Sequence, residues 1–186
     1  MDADEILLDV EERMEKAISI LKENLAGIRT GRASPGLVDS LRVEVYGAQT
    51  PLKTIATIAV PEPNQLLIRP YDPGTLKDIE KAILASGLGL TPQNDGRTIR
   101  LIIPPLSTEV RRKMVGRVRE LCEEAKIAIR NIRRDGNKSA DQAEEEKILS
   151  EDECKRVKEQ IQDLTKEYEE KANQLAKSRE KEVLEE

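Results

Sequence analysis

The sequence predicts an α+β protein, a long antiparallel three-helix bundle interrupted by a small inserted α/β lobe. Three observations carry that expectation. Helical periodicity dominates both ends of the chain, β-alternation with turn residues fills the middle, and the apolar residues are almost wholly aliphatic. Of 186 residues 36% are charged and only 2% aromatic, with three Tyr and no Phe or Trp. The core must therefore be built from Leu, Ile, Val and Ala, which suits helix-on-helix packing.

Residues 4–29 read as the first helix, because Leu7, Val10, Met14, Ala17, Leu21, Leu25 and Ile28 recur at three- and four-residue steps, with Ile18 widening the stripe. The run stops at Gly31, and Ala33-Ser34-Pro35-Gly36 cannot easily continue it. Leu41 to Val45 then alternates as a half-buried strand, with Tyr46-Gly47-Ala48-Gln49 as a turn. Thr54–Val60 and Leu66–Arg69 are further β-rich runs. A short amphipathic helix follows, with Leu76, Ile79, Ala82 and Ile83 on its apolar side and Gly87 closing it. Asn94-Asp95-Gly96 marks a turn before the strand Thr98–Ile103, and Pro104-Pro105 ends the region.

From Thr108, a candidate N-cap, the period is helical again to at least Arg134. Ser150-Glu151-Asp152-Glu153 has the form of a capping box, and the last helix turns Cys154, Val157, Ile161, Leu164, Tyr168, Ala172 and Leu175 inward. Long amphipathic helices joined by short connections favour antiparallel neighbours. The first helix completes the bundle only if the α/β unit is an insertion. The expected domains are thus 1–30 with 106–186, and 31–105, joined at hinges near Thr30-Gly31 and Pro104-Pro105. An elongated, two-lobed molecule follows, with one merged globule as the alternative.

Charge is unevenly spread. The chain carries −5 overall, yet residues 111–134 hold nine Lys/Arg against three Glu. At 100° per residue, Arg112, Arg119, Lys126, Arg130 and Arg133 fall within an arc of roughly 60°. Val110, Met114, Val118, Leu121, Ala125, Ala128 and Ile132 form an apolar stripe on roughly the opposite side. A solvated helix face usually mixes signs, so this bias points to a polyanion. The lack of aromatics argues against base stacking and for phosphate recognition.

The search for catalysis is mostly negative. With no histidine, the commonest general base and the commonest metal ligand are missing together. No P-loop is present, and the Gly/Arg-rich stretch 27–36 follows a helix instead of a strand. Cys122 and Cys154 sit at apolar-periodic positions and read as small core residues. No apolar run approaches the ~18 residues that span a bilayer, and the acidic N-terminus is no signal peptide. A soluble, cytoplasmic, non-enzymatic protein is expected, without cofactor or metal. A helical adaptor with an acidic last helix is the competing class.

The segments IRTGRASPGLVD (28–39), VEVYGAQTPL (43–52), KAILASGLGLTPQNDGRTIRLIIPPL (81–106), KIAIRNIRRDGN (126–137) and LSEDECKRVKEQIQDLTKEYEEK (149–171) resemble the ribosome recycling factor family of bacteria and organelles. The resemblance spans nearly the whole chain. It implies an L-shaped, monomeric molecule that binds large-subunit ribosomal RNA through its bundle. With elongation factor G and GTP, such a factor splits the post-termination ribosome; the recycling factor is not the GTPase. By the same resemblance the RNA-facing arginines fall at Arg130, Arg133 and Arg134, with Arg133 foremost. Arg112, Arg119 and Lys126 join them by helix geometry, and Arg29 and Arg32 flank the hinge, where they either touch RNA or cap the first helix. One position departs from the family pattern: Gly136 stands where Ala is usual. Glycine costs about 1 kcal/mol in a helix interior, so the far end of the second long helix is expected to be frayed, bent or short.

Overall fold

The computed structural model describes residues 1–185. In chain order its elements are α1 (Ala3–Ala26), β1 (Arg42–Val45), β2 (Ala48–Pro51), the single turn α2 (Leu52–Ile55), β3 (Ala56–Glu62), β4 (Gln65–Pro70), α3 (Leu76–Ala85), β5 (Pro92–Asn94), β6 (Ile99–Ile102), α4 (Thr108–Glu145) and α5 (Glu151–Leu184). They form two compact units, Met1–Leu25 with Gly116–Glu180, and Ala26–Val115 with the residues from Lys181 on. The residues expected at the hinges, Thr30, Gly31, Pro104 and Pro105, lie inside the second unit.

The first unit is a three-helix bundle. Asp2 starts α1 by accepting the Glu5 N–H at 2.9 Å, and the helix ends before Gly27, earlier than the expected stop at Gly31. Ser107, not Thr108, caps α4: its hydroxyl accepts the Val110 N–H at 3.2 Å, which leaves Thr108 as the first helical residue. Serine caps at least as well as threonine, so the earlier hydroxyl wins. Ser150 caps α5 as expected, accepting the Glu153 N–H at 3.1 Å. Arg13 of α1 meets Asp135 of α4, Glu15 meets Tyr168 of α5, and Arg119 and Arg130 of α4 meet Glu180 and Glu169 of α5. Early residues of α4 thus face late residues of α5, which makes the pair antiparallel.

The core of the bundle is aliphatic: Val10, Met14 and Ile18 of α1, Ile129 and Ala140 of α4, and Val157 and Ile161 of α5 are all nearly free of solvent. α4 runs unbroken through Gly136 to Glu145, so the expected fraying is absent. A Cβ at Gly136 would lie 2.7 Å from Val10 Cγ2 and 3.1 Å from Ile161 Cδ1. The glycine leaves room there for the side chains of Val10 from α1 and Ile161 from α5 against the α4 backbone. Tyr168 is the buried tyrosine of this unit; its hydroxyl donates to Glu15 at 2.8 Å, and burial pushes its pKa well up.

The second unit is built on sheet pairing. β1 and β2 form a hairpin across Tyr46-Gly47, both at positive φ (52° and 78°), the mirror-image turn that two-residue hairpins favour. The sequence pattern places β1 but misses β2, which contains Gln, Thr and Pro instead of alternating apolar residues. A four-stranded antiparallel sheet follows in the order β3-β4-β6-β5. Leu66, Ile68, Ile99 and Leu101 point to one face and share a core with Ile79 and Ile83 of α3. β5 was also illegible, since its three residues carry no periodic signal. Between β5 and β6 the turn at Asp95 forms as expected. The Asp95 carboxylate accepts the N–H groups of Arg97 and Thr98 and the Thr98 hydroxyl, which holds its pKa down to about 2.

Candidate nucleic-acid interface

The basic residues sit on α4 as expected, but the face they border is different. Val110, Met114 and Ala128, assigned to the packing stripe from sequence, are only half-buried, whereas Cys122, Ile129, Gly136 and Ala140 are buried. The packing face is therefore rotated toward the basic stripe, so that the two adjoin instead of lying opposite. The cause is the second seam of a three-helix bundle: α4 packs on α5 as well as on α1, and the α5 seam lies beside the arginines.

That adjacency divides the expected contacts into two groups. Arg119 reaches Glu180 at 2.8 Å, and Arg130 reaches Glu169 at 2.9 Å and Glu123 at 3.4 Å. The hydrogen bonds that the two guanidinium groups donate to these carboxylates raise both guanidinium pKa values further, keeping the charge fixed. Lys126, Arg133 and Arg134 form no ion pair among the described residues; Lys126 and Arg133 are half-buried and Arg134 is exposed. No carboxylate holds these three cations, although Lys126 shares a depression with Glu123 and Glu180, and a guanidinium is suited to bidentate contact with phosphate. The acidic partners Glu169 and Glu180 were not legible from sequence, because the α4–α5 register decides which glutamate meets which arginine.

The remaining candidates lie in the second unit. Arg112 is exposed on the first turns of α4. Arg29 donates to the Pro104 carbonyl at 3.4 Å, tying together the two chain segments expected to bracket the hinge. Arg32 is exposed, and its N–H donates to the hydroxyl of buried Thr30 at 3.3 Å. Both lie beyond the last residue of α1, Ala26.

Both cysteines are buried and unpaired, and burial raises their thiol pKa values. Asp141, Glu144 and Cys154 bring possible ligand atoms within 4.8 Å of one another. The Lys158 ammonium occupies Asp141, and the Cys154 thiol donates to the Ala140 carbonyl at 3.4 Å, so a local cation and a hydrogen bond already satisfy that cluster. No helix among the described residues is long and apolar enough to cross a membrane.

Comparison with known proteins decides the family. The family model described as ribosome recycling factor matches residues 21–184. The chain belongs to the ribosome recycling factor family. The factor of Rhodopirellula baltica is 70% identical over 140 residues, covering 75% of each chain. That of Symbiobacterium thermophilum is 49% identical over 181 residues, covering 97% of this chain and 98% of that one. Among solved structures, a solution structure of a ribosome recycling factor superposes with a TM-score of 0.77 at 40% identity, covering 99% of this chain and 98% of that one. The T. thermophilus ribosome recycling factor, in models that bind it with the E. coli elongation factor G to the E. coli post-termination complex, matches with a TM-score of 0.69 at 45% identity over both full lengths. Long helices with a small sheet lobe are thus the fold of ribosome recycling factors.

Proposed function

We propose that this chain recycles ribosomes: it binds the post-termination ribosome through large-subunit ribosomal RNA and, with elongation factor G and GTP, promotes subunit separation and release of mRNA and tRNA. The observation that carries the RNA contact is the group of cations on α4 without ion-pair partners, Lys126, Arg133 and Arg134, in a chain of net charge −5. Arg119 and Arg130 extend the surface once phosphate competes for them with Glu180 and Glu169, and Arg112, Arg29 and Arg32 are lesser candidates. The chain acts as a cytoplasmic monomer and is not itself an enzyme: GTP hydrolysis belongs to the elongation factor. Motion between the units pivots at Thr30-Gly31 and Pro104-Pro105, both of which lie within the second unit, close in sequence to the points where the chain passes between the two.

The test is breakdown of purified post-termination complexes with elongation factor G and GTP. Breakdown accelerates on adding the chain, while the chain alone turns over no GTP; no acceleration overturns the reading. A helical adaptor, by contrast, would stay in the supernatant when ribosomes are pelleted. Within the site, Arg133→Ala weakens ribosome binding and flattens its salt dependence by slightly less than one unit of log–log slope, the signature of one lost phosphate contact. An unchanged slope removes Arg133 from the interface.

A further inference from the structure

The four-stranded sheet has α3 on one face, and its other face carries a second set of cations. Arg69 on β4 and Arg100 on β6 point away from the core, since their neighbours Ile68, Ile99 and Leu101 point into it. Arg97 joins them from the turn before β6. Together with Leu67, Asp95 and Thr98 they line a depression of about 500 Å³.

None of the three guanidinium groups is held by a carboxylate. Among the described residues they form no ion pair; Arg100 donates only to the Gln65 amide oxygen, at 3.1 Å. The one carboxylate in the depression, Asp95, is committed to the turn by three hydrogen bonds from Arg97 and Thr98. Glu62, opposite Gln65 on β3, makes no ion pair with them either.

We infer that this outward face of the sheet is a second phosphate contact, in which Arg69, Arg97 and Arg100 hold the backbone of an RNA strand. The choice of RNA rests on the ribosomal reading above, while the anion specificity rests on the patch itself. The depression holds no aromatic residue and only half-buried Leu67 as apolar lining, with Ile102 the exposed aliphatic farther along the same side of β6. Three arginines outside any ion pair outweigh that limited apolar surface, since protein interfaces centre on aromatic and other large apolar anchors. Arginine is also the side chain best matched to phosphate oxygens.

Two measurements on the full chain test this. Oligouridylate is titrated into ¹⁵N-labelled protein and the arginine Nε–H signals are followed. The Arg69, Arg97 and Arg100 signals shift, and oligoglutamate of equal charge shifts them less. Silence of these three signals, or a stronger response to oligoglutamate, overturns the inference whatever the α4 signals do. Ribosome pelleting across a salt series then compares the wild-type chain with the triple variant R69Q/R97Q/R100Q. All three side chains are exposed, so the variant keeps its melting temperature, yet its log–log salt slope falls by about 2, near 0.7 for each lost contact on a single strand. An equal slope in a folded variant overturns the ribosomal form of the contact. Failure of the wild-type chain to bind ribosomes rejects the recycling function instead, and the oligouridylate titration still decides the patch.

Discussion

Gly136 shows how a single residue can reverse its sequence-level meaning. By propensity it is a weak point, costing about 1 kcal/mol against alanine. In the bundle it is a clearance, with Val10 Cγ2 2.7 Å from where a Cβ would stand. Overpacking a core typically costs about 1–3 kcal/mol, so it outweighs the propensity gain. Gly136→Ala therefore lowers stability by about 1 kcal/mol in urea denaturation, despite adding a better helix former. Adding Val10→Ala to it removes the clash and yields coupling of opposite sign between the two sites, although the lost valine methyls carry their own penalty. Independent, additive effects would show that the contact does not limit the approach of α1 and α4.

At the scale of elements, the long helices and the strands β1 and β6 were legible because each repeats its apolar residues at the period of its own geometry. β3 and β4 were legible as β-rich runs, although Thr54 and Ile55, expected in β3, belong to the turn α2. β2 and β5 were not, being short and drawing their register from partner strands. The candidate site was legible in the same uneven way. The basic stripe of α4 could be read from spacing within one helix, whereas its acidic counterparts on α5 depend on how two helices align. That alignment matters for binding, since Glu169 holds Arg130 at 2.9 Å and competes with any phosphate for it. Glu169→Gln frees the guanidinium, so ribosome affinity rises and its salt dependence steepens by slightly less than one slope unit. The measurement is ribosome pelleting across a salt series; weaker binding would mean that Glu169 positions Arg130 for RNA instead of withholding it.

For the whole molecule, two units with separate cores share one chain that crosses between them more than once. The proposed pivot makes Gly31 a test of motion without a test of packing. A Cβ there would meet nothing within 4 Å, so Gly31→Ala leaves the melting temperature unchanged, yet it stiffens the proposed pivot and slows post-termination-complex breakdown. Equal breakdown rates would place the pivot elsewhere. The division into units also has a spectroscopic consequence. The chain has no tryptophan, and its three tyrosines fall on both sides: Tyr168 is 3% exposed in the bundle, while Tyr46 and Tyr71 in the lobe are 84% and 70% exposed. A dissolved quencher therefore dims the emission of the lobe and spares that of the bundle until the helices separate, giving the unlabelled protein a native reporter for each half.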